Sequence, residues 1–327
     1  MILLALWLPA QLLAEKSIYI PTFSGTVRAR YEYLTNQDVS AFKVPTLRLG
    51  LIGYVAPIMS YNAEVDFSDW GKIVLVNGFV KVTPVEGLSL SLGQQRMPFT
   101  VSAHRQPCEQ YFVSRNFIAK YGGVRDLGFV AGYSVPRIPL TFQASVFNSS
   151  GLIEHKIYFT NSYGFSAKLI SPFARNWYLA ASTARVKKGD VWTQNWDVGA
   201  YFDNGLWHVE GEYLRRNYIH GLFDAVNACD FFVYRYFPID RKLLGGLSGA
   251  LRYDYMGDHS GGKRDEKGHL NIDDFERHRL TGGVTLSLAS KFQADIRLNY
   301  EKYFFDKGVV PGRADDDRLV LEVIAHF

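Results

Sequence analysis

Cysteine, methionine and long apolar runs are scarce in this chain of 327 residues, which has only 2 Cys and 4 Met. Two cysteines exclude a disulfide-rich scaffold and a zinc site built from several cysteines. No apolar run after residue 14 reaches the ~18 residues that a membrane-spanning helix requires. A formal net charge of only +4 without a basic tail argues against a nucleic-acid partner. No metal-ligand spacing, phosphate-binding loop or ordered catalytic set is present, so we expect no metal, no cofactor and no enzymatic activity.

Apolar and polar residues instead alternate with period two, between connections that contain Pro, Gly, Asn and Asp. Aromatics are abundant, with 23 Phe and 20 Tyr. The alternation predicts strands at 23–34, 44–56, 60–68, 74–83, 88–96, 127–135, 140–147, 162–171, 176–186, 194–202, 206–215, 230–237, 243–256, 277–288, 291–303 and 317–327. Short and mostly longer connections alternate along the chain. We therefore predict an all-β fold, a 16-stranded antiparallel transmembrane β-barrel; a soluble sandwich or propeller would not explain an apolar outer face on nearly every strand.

The two ends of the chain indicate export. Residues 1–14 are apolar and end before Glu15, which predicts a signal peptide, although a buried strand or helix is the alternative. Residues 15–327 would then form a single barrel domain. The last eleven residues alternate and end on Phe327, which resembles the final strand of Gram-negative outer-membrane barrels. We expect the protein to pass the periplasm and reside in the outer membrane of a Gram-negative cell.

The longest connection, 97–126, is the third loop on the side of the longer connections. An unstructured loop of about 30 residues is unusual unless it has a function. Around it lie the stretches LGQQRMPFT (92–100) and FVSRNFIAKYGGVRDLGFVAGY (112–133), and farther on DFFVYRYFP (230–238) and LRYDYMGD (251–258). These stretches resemble the phosphate-selective porin O and P family. The resemblance implies a trimeric, 16-stranded, anion-preferring diffusion channel whose third loop folds inward and narrows the pore.

Alternation also assigns charged side chains to the lumen. It places ten acids there, together with Lys81, Lys168 and eight arginines: Arg28, Arg30, Arg48, Arg185, Arg235, Arg252, Arg279 and Arg297. Equal numbers of both signs predict a general channel rather than one dedicated to phosphate, with arginines and acids on opposite walls as one arrangement. The alternative for any one of these residues is a structural ion pair in the lumen.

Within the third loop, basic residues outnumber the acids Glu109 and Asp126. Low-dielectric walls focus the field of such an excess at a constriction. Our candidate constriction and selectivity residues are His104, Arg105, Arg115, Lys120 and Arg125, although Arg125 could instead begin the sixth strand. Cys108 and Cys229 could form a disulfide in an oxidising periplasm, but the sequence does not supply their separation.

The sequence therefore predicts a passive, water-filled porin with a weak to moderate anion preference and phosphate as a candidate solute. Its expected partners are outer-membrane lipids, small anionic solutes and two further copies of the chain in a homotrimer. Two other functions stay open at this point: an outer-membrane hydrolase built on a barrel, and a plugged structural or adhesive barrel. Ion conductance would separate both from a porin.

Overall fold

In a computed structural model of the protein, residues 19–69, 72–149, 159–239, 241–305, 309 and 312–327 are described. Sixteen antiparallel strands form one closed barrel, in which β1 pairs with both β2 and β16. The strands are β1 Thr22–Leu34, β2 Val39–Ala56, β3 Met59–Asp66, β4 Val74–Val85, β5 Leu88–Arg96, β6 Arg125–Ser134, β7 Thr141–Phe147, β8 Gly164–Ala174, β9 Trp177–Lys188, β10 Val191–Asp203, β11 Trp207–Tyr218, β12 Val226–Pro238, β13 Leu244–Met256, β14 Arg277–Leu288, β15 Gln293–Phe305 and β16 Arg318–His326.

The predicted fold is confirmed, and every predicted strand is present. The bounds of β5 and β14 agree to the residue, while β2 and β12 begin earlier because they extend beyond their alternating stretch. The predicted signal peptide, residues 1–14, lies outside the described residues. None of the helices among the described residues has the length and apolar character that crossing a membrane requires.

The outer surface of the barrel is apolar and the inner surface is polar. In β15, Ile296 and Leu298 are about 40 % exposed on the outside, whereas Arg297 and Asn299 point inward and are buried. The last strand follows the same rule, with Leu321 outside and Glu322 inside. Because a closed barrel leaves no unpaired strand edge, such an outer surface can face lipid, and the barrel is a membrane-spanning one.

The two ends of the barrel differ in the length of their connections. At one end, here called the turn end, the strands are joined by short turns, and the C-terminal Phe327 pairs through its backbone with Gly25. At the other, the loop end, lie longer connections such as 257–276, although β9 and β10 are joined there by only 189–190. The third loop, hereafter loop 3, covers 97–124 rather than 97–126, because β6 begins at Arg125. It contains two 3₁₀ turns, 102–104 and 107–109, and one short helix, α1 (Phe117–Gly122).

Candidate functional site

Loop 3 folds into the lumen, where Phe99, Thr100 and Ile118 are completely buried. The wall opposite its first part presents small inward residues, Ala180 and Ser182 on β9, and Gly199 on β10. A methyl group at residue 199 would come within 2.9 Å of a Val101 side-chain carbon. Small residues on this wall therefore provide the space that the loop occupies.

The first part of loop 3 is bound to strands β8, β9 and β11 through its backbone. The Thr100 amide donates to the Ser182 hydroxyl (3.0 Å), and the Thr100 carbonyl accepts from the Lys168 ammonium group. The Glu212 carboxylate accepts from the amides of Val101 and Ser102. Together these four hydrogen bonds hold the first part of the loop against one side of the barrel.

Three arginines bind the second part of loop 3. The successive carbonyls of residues 113, 114 and 115 accept hydrogen bonds of 2.7, 2.9 and 2.7 Å from Arg28 on β1, Arg252 on β13 and Arg279 on β14, respectively. We call these three residues the loop-binding arginines. Their positive charges thus orient the loop backbone instead of lining an open path.

The same arginines neutralise acids beneath the loop. Arg28 pairs with Glu322 at 2.7 Å, and Arg252 and Arg279 both pair with Asp254 at 2.8 and 3.0 Å. Asp254 and Glu322 are completely buried. Loop 3 and its arginine partners therefore cover most of the inward acids of the wall from β9 to β16 and of β1.

The opposite side of loop 3 faces a basic cavity of about 570 Å³. Its charged lining consists of one acid, Asp126, and the cationic residues Arg48, Arg96, Arg115, Lys120, Arg125, Lys187 and Lys188, which belong to β2, β5, loop 3, β6 and β9. We refer to this space as the basic cavity. It lies between the inner face of loop 3 and the part of the wall that the loop leaves uncovered.

The arginines of the basic cavity are engaged to different degrees. Arg48 is neutralised by Asp66 (2.7 Å) and Glu64 (3.2 Å) on the adjacent strand. Arg96 and Arg115 both donate to neutral backbone carbonyls of residues 103 and 105, which leaves their charges uncompensated by these contacts. In Arg125, Nε and Nη2 are buried without a hydrogen-bond partner among the described residues.

The pKa of Arg115 reflects an excess of positive charge around this part of loop 3. Burial, followed by repulsion from Arg96, lowers the pKa of Arg115 to about 10, so the guanidinium stays protonated at neutral pH. Its neighbours in this region are predominantly other arginines. The arrangement can attract a small anion and repel a cation, because charges inside low-dielectric walls act over a short, focused path.

The five loop residues predicted to set selectivity have different environments. Arg115 and Arg125 line the basic cavity, and Lys120 lies at its edge, paired with Asp274. Arg105 instead forms an ion pair with buried Glu210. Burial and nearby cations lower the pKa of His104 to about 3, so it is neutral. Arg105 and His104 therefore contribute no free charge to the passage.

Two of the eight arginines assigned to the lumen point outward, and for these the prediction is wrong. Arg185 on β9 is exposed and lies directly opposite outward-facing Phe165 on β8. Arg235 on β12 lies 4.7 Å from the ring of outward-facing Trp207 on β11. The inner side of β9 carries small residues that leave room for loop 3. Arg185 therefore lies on the outer side, opposite to the side predicted from its charge. Among the remaining six, Arg30 pairs with Glu32 and Arg297 with Glu322.

Sequence reasoning missed Arg96, the last residue of β5. Alternation alone does not distinguish it from other strand-end residues. Its position directly before loop 3 was the available signal, because that position fixes the side chain at the root of the loop. Its guanidinium donates to the same backbone carbonyls as that of Arg115. The folded loop therefore places two positive charges next to each other that are distant in the sequence.

The two cysteines are both free. Cys108 lies inside the lumen, where its carbonyl accepts from Gln293 (3.0 Å) near the turn end. Cys229 belongs to β12 and alternates with inward Ala228 and Asp230, so it points outward. The barrel wall separates the two thiols, and the disulfide considered above does not form. Among the described residues, no group of three or more His, Cys, Asp or Glu is placed to hold a metal ion.

Comparison with known proteins identifies the fold. The chain is similar to the outer membrane channel DcaP of Acinetobacter baumannii (13% identity, TM-score 0.66, 94% of this chain and 97% of that one). It is also similar to an anion-selective porin from Comamonas acidovorans (14%, 0.63, 94% and 98%) and to OmpT of Vibrio cholerae in its trimer form (14%, 0.59, 94% and 98%). No protein-family model and no curated protein matches the chain. The chain has the porin fold.

A closed barrel with this fold and a lipid-facing outer surface belongs to the outer membrane of Gram-negative cells, as predicted from the sequence.

Proposed function

We propose that the protein is an outer-membrane porin through which small solutes diffuse passively, with a preference for anions. In this proposal the turn end faces the periplasm and the loop end faces outward, as is general for bacterial barrels with short periplasmic turns. Solutes pass along the basic cavity, between loop 3 and the uncovered wall formed mainly by β2 to β6.

The basic cavity is the observation that carries the anion preference. The inward charges balance when they are counted along the sequence, but loop 3 covers most of the inward acids and leaves Arg96, Arg115 and Arg125 on the open side. The acids that remain there include Glu64 and Asp66, which neutralise Arg48. A porin of the same fold, from Comamonas acidovorans, is described as anion-selective. We therefore attribute selectivity to the three-dimensional segregation of charge and not to an overall excess of arginine.

The decisive experiment measures the reversal potential in planar bilayers under a KCl gradient. Arg115→Gln should lower the anion/cation permeability ratio, and Arg115→Lys should retain most of it, because charge rather than guanidinium geometry repels the cation. Arg235→Gln is the matched control, since that arginine lies on the outside. The difference between wild type and Arg115→Gln should shrink at 1 M salt, where the Debye length is about 3 Å. An unchanged ratio at low salt in Arg115→Gln would contradict the proposal.

Phosphate is one of the anions that we propose the channel carries, on the strength of the family resemblance around loop 3. Arginine offers planar donors that suit oxyanions. Two of the three uncompensated arginines also bind backbone carbonyls, which limits their capacity to hold phosphate tightly. We expect added phosphate to reduce chloride current only weakly; a block at micromolar concentration would favour a dedicated phosphate channel.

A channel is favoured over an outer-membrane enzyme by the geometry of the local Asp/His/Ser group in the connection 257–276. His259 pairs with Asp274 (2.9 Å) and not with adjacent Asp258, and the Ser260 hydroxyl accepts from the Gly262 amide (3.3 Å). These contacts leave no base aligned on a nucleophile. Single-channel conductance in a bilayer would exclude a plugged barrel, whereas hydrolysis of lipid or peptide by the purified protein would support an enzyme.

We further propose a homotrimer, as in the trimer form of Vibrio cholerae OmpT, which shares the fold. Native mass measurement of the detergent-extracted protein should give three chains per particle. A monomer as the sole species under mild extraction would contradict this.

A further inference from the structure

The outer surface of β6 to β11 contains a run of small residues with basic residues beside it. The outward positions Ala131, Ala144, Ala167 and Thr183 lie directly opposite one another across β6, β7, β8 and β9. One flanking row contains Phe129 and Phe165, both at least 42 % exposed. The small residues thus form the floor of a trough in the lipid-facing surface, part of a groove of about 470 Å³.

Basic residues lie beside this trough. Arg185 borders the groove and stands 5.0 Å from the Trp192 ring, and Lys187 lies 5.7 Å from the same ring. On β11, exposed Arg215 is directly opposite Trp196, which is 54 % exposed. None of the three cations forms an ion pair within the part of the chain that the structure describes. The nearby Asp190 is engaged by Arg264 (2.7 Å).

The depth of these cations in the membrane follows from the strand geometry. Arg185 lies eight residues above Trp177 at the turn end of β9, and Arg215 eight above Trp207 in β11. At ~3.3 Å per residue and a tilt of 35–45°, eight residues rise about 20 Å, and the apolar band of such barrels is ~25 Å tall. The Cα atoms of Arg185 and Arg215 therefore lie about 5 Å below the loop-end edge of the apolar band, and their long side chains can extend to the headgroup level of that leaflet.

We propose that this surface binds a phosphorylated glycolipid of the outer leaflet. Arg185, Lys187 and Arg215 would contact its phosphate groups, and the trough would take one of its acyl chains. A phosphate monoester carries more than one negative charge and accepts several hydrogen bonds, which matches three cations that form no ion pair among the described residues. A charged side chain facing lipid is costly at the midplane but nearly free at the interface, where an anionic headgroup compensates it. This inference does not depend on which solute the channel carries.

The test titrates the purified full-length protein in detergent with bis-phosphorylated lipid A and counts bound lipids by native mass spectrometry. Combined Arg185→Ala, Lys187→Ala and Arg215→Ala should weaken binding at least tenfold. Arg235→Ala removes an outward arginine from the opposite end of the barrel and should change binding less than twofold. If the triple alanine variant does not fold, the three Gln substitutions replace it. Equal losses in the triple variant and in Arg235→Ala would overturn the proposal.

A second part of the experiment varies the headgroup of the added lipid. Lipid A without phosphates should bind wild type and the triple variant equally weakly, because only the phosphates distinguish the two proteins. If phosphatidylglycerol bound wild type as tightly as bis-phosphorylated lipid A, the assignment to a glycolipid would be wrong.

The trough has a test of its own. Ala144→Phe fills the floor of the trough and should lower the affinity for bis-phosphorylated lipid A while leaving the barrel folded. Unchanged affinity would show that no acyl chain binds in the trough. A second copy of the chain is the competing occupant. Ala167→Cys in a Cys229→Ser background should stay uncrosslinked in native membranes, and efficient disulfide-linked dimers would show that another protomer covers this surface.

Discussion

Replacement of Arg279 by Gln should release the second part of loop 3 without unfolding the barrel. The substitution removes the 2.7 Å bond from the guanidinium to the carbonyl of residue 115. Asp254 keeps Arg252 as a partner at 2.8 Å. Glu301, the second acid that Arg279 contacts, keeps Arg318 at 3.5 Å, so neither buried carboxylate is left without a cation. A hydrogen bond to a charged group contributes about 1.5–3 kcal/mol, and each 1.4 kcal/mol is about tenfold in population. The undocked form of this segment should therefore become about 10- to 150-fold more populated.

Hydrogen exchange followed by mass spectrometry measures this population. Amides of 112–118 should exchange faster in Arg279→Gln, while those of 98–104 should not change, because they are bound to the opposite wall through Ser182 and Glu212. Arg297→Gln is the control, since Arg297 is equally buried but hydrogen-bonds Thr285 on the wall instead of the loop. Single-channel records of Arg279→Gln should show more closures. Unchanged exchange in 112–118, or the same change in Arg297→Gln, would refute the idea that arginine side chains hold this segment.

Three further predictions concern other parts of the chain. Both Cys108 and Cys229 should stay reduced under mild oxidation, because the wall separates them, and thiol labelling after denaturation should count two thiols per chain. Since the pKa of His104 is about 3, this side chain stays neutral between pH 5 and 8 and should not change the reversal potential in that range. In the unfolded chain the same histidine becomes protonated below about pH 6.5, so the stability of the folded protein should fall as the pH drops below that value. Acid denaturation of wild type compared with His104→Gln would measure this contribution. Gly25→Ala should slow barrel assembly, seen by heat-modifiable gel mobility, because a methyl group there would lie 2.4 Å from the Phe327 ring; assembly at the wild-type rate would contradict this.

The sequence was sufficient to predict the barrel. Strand alternation is a local property with period two, and a membrane-facing strand repeats it over nearly its whole length. β5 and β14 were thus located to the residue, and the final strand was recognised from its apolar face. The position of loop 3 followed for the same reason, because the interval between two clear strands was too long for an ordinary connection. What the pattern determines is the path of the backbone through the membrane.

The tertiary structure alone decided the role of each charge. An inward position says that a side chain enters the lumen, but not whether loop 3 covers it. Arg252 and Arg279 bind the loop, whereas Arg48 faces the open side, although all three were equivalent inward arginines along the chain. The phase of β9 was also undecidable locally, because small residues faced inward to fit a loop about 80 positions earlier. Alternation is set by neighbours along one strand, while charge compensation depends on contacts between residues that are distant in sequence.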